Sequence, residues 1–201
     1  MLLLLAAALA SIAPPSRAGF VPSNLSECVT KIINHDGAAD IAVYDGIRND
    51  NTREEYQNFL AKYPGSVCAP EARQYLADRA NAAARIAAMP KNGPSPHQRR
   101  ADWGAILTPD DFPWSTMRQY AGKDGAMWPV AAVWNIATDG YVEDCRITLS
   151  TGFDVLDKLT CRLISRRQRY YPARDAEGNP LRSTDSIKMR WTAPAESPRR
   201  Q

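Results

Sequence analysis

Four cysteines, Cys28, Cys68, Cys145 and Cys161, are the residues best able to do covalent chemistry in this chain of 201 residues. An even set closes as two disulfides in an oxidising compartment, in any of three pairings. Pairing within each half, Cys28 with Cys68 and Cys145 with Cys161, is the simplest arrangement. Metal binding is the rival reading, but no two of the cysteines form a CxxC, and the two histidines, His35 and His97, stand alone in polar, loop-like contexts. Neither a metal nor a cofactor is expected. Hydrolytic chemistry needs a base held beside a nucleophile, and the sequence contains no GxSxG elbow, no HExxH and no Gly-rich phosphate loop. Two adjacent carboxylate pairs remain, Asp110-Asp111 and Glu143-Asp144. Neighbouring residues on a strand point to opposite faces, and Asp110-Asp111 before Phe112-Pro113 reads as a turn. These residues describe a binding protein rather than an enzyme.

The charge balance narrows what is bound. With 25 Lys+Arg against 22 Asp+Glu the net charge is +3, too small for a dedicated nucleic-acid binder. A content of 44% hydrophobic and 23% charged residues is that of a soluble globular chain. Residues 1–13 form an apolar run closed by Pro14-Pro15, and Ser16-Arg17-Ala18 has the small-x-small form of a cleavage site. A signal peptide over 1–18 and export are the expectation. A spanning helix needs about 20 apolar residues, so an uncleaved inner-membrane anchor is the weaker alternative.

Two halves must position whatever site exists. Residues 89–100, MPKNGPSPHQRR, cannot continue a helix, which places a linker at about 90–102 between a helical domain over 19–89 and a second domain over 103–192. Residues 193–201 read as a disordered tail. In the first half Thr52 and Glu55 have capping-box spacing, and Tyr56, Phe59, Leu60 and Tyr63 recur on one helical face. Pro64-Gly65 stops that helix and Pro70 opens another, with Ala72, Tyr75, Leu76, Ala80 and Ala83 on one side. Ile41, Tyr44 and Ile47 supply a third stripe. Three such helices are expected to bury their faces against each other, as an all-α helical hairpin with an added helix. With Asp50, Phe59-Leu60, Tyr63-Pro64-Gly65, Ala69, Ala72 and Leu76 as fixed points, the segment from Tyr44 to Ala77 resembles short TPR-like helical repeats. That resemblance implies a scaffold or protein-contact surface, or a packing domain with no partner.

In the second half, two strand-like runs, 130–136 and 141–149, flank Thr138-Asp139-Gly140, a strong hairpin-turn signal. Alternation places Cys145, Ile147 and Leu149 on one face of the second strand and Asp144, Arg146 and Thr148 on the other. After Ser150-Thr151-Gly152 a helix begins near Asp154, with Leu156, Thr160, Leu163 and Ile164 on its apolar arc and Lys158, Arg162, Ser165, Arg166 and Arg169 opposite. Cys161 sits at the boundary between the arcs, within reach of Cys145. After Pro172 and the turn Gly178-Asn179-Pro180, residues 183–191 alternate as a last strand. The fold class is α+β: a small antiparallel β-β-α-β sheet with a packed helix, preceded by the helical domain. Three strands cannot close, so one outer backbone edge is left open. Lys158, Arg162, Arg166 and Arg169 form a basic helix face, either a solvated surface or one that meets an acidic peptide, lipid headgroup or cell-wall polymer.

The segment Ile136-Ala137-Thr138-Asp139-Gly140-Tyr141-Val142, then Ser150-Thr151-Gly152, Leu156-Asp157, and Tyr171-Pro172-Ala173-Arg174-Asp175 with Gly178-Asn179-Pro180, resembles the C-terminal domain of TonB-family energy transducers. The likeness covers about 106–191, with Asp111-Phe112-Pro113 similar to the Tyr-Pro lead-in to the first strand. Cys145 and Cys161 look like the cysteine pair of a subset of such domains. The resemblance implies a periplasmic module that captures an extended peptide of an outer-membrane transporter by adding it to the sheet. The docking edge would be the last strand: Asp185, Ser186, Ile187, Lys188, Met189, Arg190 and Trp191. A free edge also permits a homodimer. A full transducer carries a motor-engaging membrane helix and a long Pro-rich arm; without these the resemblance implies an adaptor rather than a transmitter of force. The alternative is a periplasmic scaffold acting through the helical half.

Overall fold

The structure is a computed structural model that describes residues 27–33, 37–91, 93–100, 105–108, 111–121 and 126–193. The expected signal peptide, most of the tail, His35, Trp103 and Asp110 lie outside the described residues.

The first half is four helices: α1 (Glu27–Ile33), α2 (Ala39–Asp50), α3 (Arg53–Lys62) and α4 (Ala69–Ala87). Thr52 caps α3 by accepting from the Glu55 backbone N–H, while the Glu55 carboxylate accepts from the Thr52 N–H, so two otherwise orphaned donors are satisfied. Pro70 stands in the first turn of α4, where a missing N–H costs nothing. Tyr44, Tyr56, Phe59 and Ala72 are buried together, and the Cys28–Cys68 disulfide ties α1 to the start of α4. Three features differ from the sequence reading. The seven-residue α1 is an added helix, held by its disulfide rather than by periodicity. The helices do not bury their faces only against each other, because α2 also packs on the second half. On α4 the buried stripe runs through Ala72, Arg79, Ala82 and Ile86, leaving Ala80 exposed. Position 79 lies seven residues from Ala72, on the same face, and an arginine is tolerated there because carboxylates meet it.

Strand β1 (Gln98–Arg99) and helix α5 (Trp114–Ala121) precede the main sheet, formed by β2 (Met127–Ile136), β3 (Val142–Leu149) and a last strand. Helix α6 (Asp154–Arg167) follows β3, then the short β4 (Tyr170–Tyr171), β5 (Ala173–Arg174) and β6 (Pro180–Leu181), and finally β7 (Ser183–Thr192). The sheet order is β3-β2-β7 with both pairings antiparallel. Val130, Ala132, Trp134 and Ile136 of β2 face Leu156, Leu163 and Ile164 of α6. The Cys145–Cys161 disulfide joins β3 to α6.

Two local departures change which side chains face the core. Asn135 pairs with Glu143 and Val133 with Arg146, so two β3 residues, Asp144 and Cys145, oppose the single β2 residue Trp134, with Asp144 at φ 52°. A second shift sets Leu149 against Ala131 while Ile147 sits against Ala132. The slip carries Leu149 off the Cys145 face, leaving it 49% exposed. The Asp111-Phe112-Pro113 lead-in does not run directly into the first strand, because α5 intervenes. Residues read as connection also pair: Ser95 bridges Arg174, and Gln98–Arg99 pairs with Tyr171 and Tyr170. Pro94 and Pro96 forbid a helix there but not an extended edge.

Candidate functional site

Strand β7 is positioned by pairing with β2 along its whole length, from Ile136 opposite Ser183 to Met127 opposite Thr192. Its far end is pinned by Trp191, which is 2% exposed and donates from Nε1 to Thr160 Oγ1 at 2.9 Å. The Thr160 hydroxyl in turn donates to the Leu156 carbonyl at 2.7 Å, so a hydrogen-bond chain ties β7 to α6. Near its start, Asp185 accepts from the Tyr170 hydroxyl at 2.8 Å, with His97 Nε2 3.9 Å away. Burial and this hydrogen bond together hold the Tyr170 hydroxyl above its ordinary range.

One backbone side of β7 is taken by β2; the other pairs with no strand among the described residues. In an antiparallel strand, alternate residues direct N–H and C=O to opposite sides, so half of the β7 backbone groups face outward. Asp185, Ile187 and Met189 are half-buried, and Ser186, Lys188 and Arg190 are exposed. Such an edge can accept a further extended chain: backbone bonds supply affinity, and Lys188 and Arg190 bias it toward acidic neighbours while discouraging self-association.

A second constellation joins the halves at the hairpin turn. Arg79 reaches from α4 to Asp139, with Nε–Oδ2 at 2.7 Å and an Nη2–Oδ1 bond at 3.0 Å, and to Glu143 at 2.6 Å. It also donates to the Asn51 carbonyl at 3.3 Å and to the Tyr75 hydroxyl at 3.2 Å. Arg79, Asp139 and Glu143 are all buried. Burial works against the Arg79 charge, but the Asp139 hydrogen bonds and the nearby carboxylates hold its guanidinium above the ordinary value. Arg53 completes Asp139 at 3.3 Å, and Arg182 completes Glu143 at 2.6 Å. Asn51, the left-handed cap of α2, donates from Nδ2 to the Val142 carbonyl at 2.9 Å. The adjacent carboxylates Glu143 and Asp144 share Arg182, at 2.6 and 3.9 Å, but differ otherwise: Glu143 is buried against Arg79, and Asp144 accepts from Asn135 at 2.8 Å. Asp111 caps a turn by accepting from the Thr108 N–H at 2.7 Å, and it pairs with Arg167 through both carboxylate oxygens.

The basic helix face is divided. Arg162 is partly buried and pairs with Asp45 of α2 at 2.9 Å. Arg169 lies beyond the end of α6, bridges Tyr141 and places its guanidinium 3.9 Å from the Tyr141 ring centroid. Lys158 and Arg166 stay exposed, whereas Ser165, assigned to the same arc, is buried. The stripe breaks because α2 covers one end and the helix stops before the other. All four cysteines are in disulfides, and among the described residues no group of three or more His, Cys, Asp or Glu side chains is placed to hold a metal ion. Among the described residues no helix is long and apolar enough to cross a membrane.

The β2–β3 hairpin, the α6 layer over the sheet and the returning β7 are the parts that a family comparison can decide. Residues 122–192 match the family model for the Gram-negative bacterial TonB protein C-terminal. The TonB C-terminal match covers β2 through β7, the site edge included, and does not extend to the helical half. No curated protein and no solved structure matches the chain. Sequence reasoning overlooked Arg79 and Asn51; the available signal was a charged residue on the apolar stripe of α4.

Proposed function

We propose that this chain is a periplasmic TonB-like module of transmembrane transport, which takes an extended peptide of an outer-membrane transporter as an added strand along β7. The observation that carries this reading is the outer edge of β7, which pairs with no strand among the described residues, inside the segment that matches the TonB C-terminal family. That family works in energy transduction and protein contact rather than catalysis. The polar side chains Ser186, Lys188 and Arg190 keep the edge soluble while it waits, and Ile187 and Met189 offer apolar contact to alternate residues of a guest. The helical half, locked to the hairpin through Arg79, packs α2 on β3 at the opposite edge of the sheet and leaves β7 to the guest.

The test is photo-crosslinking in the periplasm from a benzophenone amino acid at Lys188, followed by mass spectrometry. The reading expects adducts with the periplasm-facing N-terminal segments of outer-membrane transporters, lost when the equivalent probe is placed at Lys158 on α6. Adducts confined to a second copy of the chain, or transporter adducts at Lys158 and not at Lys188, would overturn it.

A further inference from the structure

Strand β7 offers a guest less of its edge than its length suggests. The Ala193 N–H bonds to the Ala126 carbonyl at 3.1 Å, and the register that sets Met127 opposite Thr192 continues along the strand. Bonding in an antiparallel ladder alternates, so Asp185, Ile187, Met189 and Trp191 exchange backbone bonds with β2, while Ser186, Lys188, Arg190 and Thr192 direct N–H and C=O outward. Those outward residues also carry their side chains on the exposed face. One of their N–H groups is already taken: Ser186 donates to Asp185 Oδ1 at 2.8 Å. The other carboxylate oxygen, Oδ2, is fixed by the Tyr170 hydroxyl at 2.8 Å, with His97 Nε2 3.9 Å away, and the His97 ring meets the Tyr170 ring edge-on at 5.7 Å. The Asp185 carboxylate is therefore held where it closes the edge at Ser186, and the outward donors left to a guest run from Lys188 to Thr192.

Charge defines the guest further. Among the described residues neither Lys188 nor Arg190 lies within ion-pair distance of a carboxylate, and Arg190 Nη1 reaches the Met127 sulfur at 3.7 Å, which leaves its charge unmatched. On an added strand the residues directly opposite Lys188 and Arg190 lie two apart on the same exposed face, and the residue between them turns to the half-buried face that Ile187 and Met189 line. Pairing with β7 of a second copy, centred on Met189, would instead set Lys188 against Arg190, and like charges directly opposite are destabilising.

We propose that β7 selects an extended segment with carboxylates at two alternate positions and an apolar residue between them, read in one register because Asp185 closes the edge at Ser186. Asp185 acts as a positioning residue, and Lys188 and Arg190 set the specificity. Such selection rests on strand addition at β7, the reading proposed above, and adds the chemistry of the guest to it.

The test is an NMR titration of the isotope-labelled full chain with synthetic peptides that share one threonine-rich extended frame and differ only at the centre: glutamate-valine-glutamate, its isomer glutamate-glutamate-valine, glutamine-valine-glutamine and lysine-valine-lysine. Backbone amide signals of β7 report position, and their saturation reports affinity. Each cross-strand charge pair is worth roughly two- to fivefold, so the alternating peptide should bind about tenfold tighter than its glutamine counterpart, and measurably tighter than the isomer of equal charge. On binding, the Lys188, Arg190 and Thr192 amides should gain protection from exchange, and Ser186 should not change. In the double variant Lys188→Glu, Arg190→Glu, both at exposed positions, the lysine peptide should become the tightest. Peptides that protect the outward amides with equal affinity whatever the spacing of their charges would overturn the selection and leave strand addition standing, and new protection of Ser186 would overturn the stop at Asp185. No protection of β7 with any peptide, or protection that rises with protein concentration alone, would overturn both.

Discussion

Replacing Arg79 by alanine should uncouple the two halves. Arg79 is 2% exposed and holds Asp139 and Glu143, whose side chains are 3% and 5% exposed. Removing one partner from a buried ion pair costs about 3–5 kcal/mol, because the remaining charge stays desolvated. Here Asp139 would keep Arg53 and Glu143 would keep Arg182, but those arginines are 46% and 58% exposed. Ion pairs made by exposed side chains return roughly 1 kcal/mol or less, so a net loss of about 3 kcal/mol is expected. In a chain of this size that lowers Tm by about 6–12 °C. The distribution of chromophores makes the assay specific. All five tryptophans follow residue 100, whereas α1 to α4 supply most of the helix. Far-ultraviolet circular dichroism and tryptophan fluorescence therefore report largely on different halves during urea unfolding. In the parent protein the two transitions should coincide; in Arg79→Ala the helical signal should fall at lower urea than the fluorescence. A loss below about 1 kcal/mol with coincident transitions would refute the assignment of Arg79 as the coupling residue.

Two further perturbations probe the supports of the sheet. Gly140 has φ 78°, and a Cβ there would overlap the Tyr170 carbonyl; Gly140→Ala should cost more than the roughly 1–2 kcal/mol of a left-handed non-glycine residue, read as a shift of the urea midpoint at constant slope. For Asp111, burial opposes the charge, but the hydrogen bonds from Arg167 and Thr108 outweigh it and hold the carboxyl below its ordinary value. A depressed folded-state pKa contributes stability that is present above the unfolded value, near pH 4, and lost as pH falls through the folded one. Unfolding free energy measured between pH 2 and 7 should therefore fall less steeply in acid for Asp111→Asn than for the parent, and parallel curves would contradict the role of the Arg167 pair.

The parts of the fold set by local chemistry were legible from residue order. Asp139-Gly140 announced the hairpin, Thr52 and Glu55 the start of α3, and Leu156, Leu163 and Ile164 the buried side of α6. Parts set by distant contacts were not. The Arg79–Asp139 pair joins residues 60 apart; α4 shows a charged residue on its apolar stripe but not which carboxylate meets it. The division of the basic stripe likewise depends on Asp45 of α2, 117 residues from Arg162. The bulge at Asp144 and the slip that exposes Leu149 break a strict alternation that strand reading assumes. Of the candidate site, the β7 strand and its facing pattern were legible, because a strand declares its two faces by alternation; the Trp191–Thr160 bond that anchors it was not.

Hydrogen exchange along β7 tests the central claim most directly. In the free protein, amides of β7 that bond to β2 should exchange slowly, and those directed outward should exchange near the rate of an open chain, apart from Ser186, whose N–H donates to the Asp185 carboxylate at 2.8 Å. Adding a synthetic peptide of the N-terminal, periplasm-facing segment of an outer-membrane transporter should slow the outward set over 185–191 and leave the inward set unchanged. Outward amides already slow without peptide, or a bound peptide that protects α4 or α6 while β7 continues to exchange, would contradict the account.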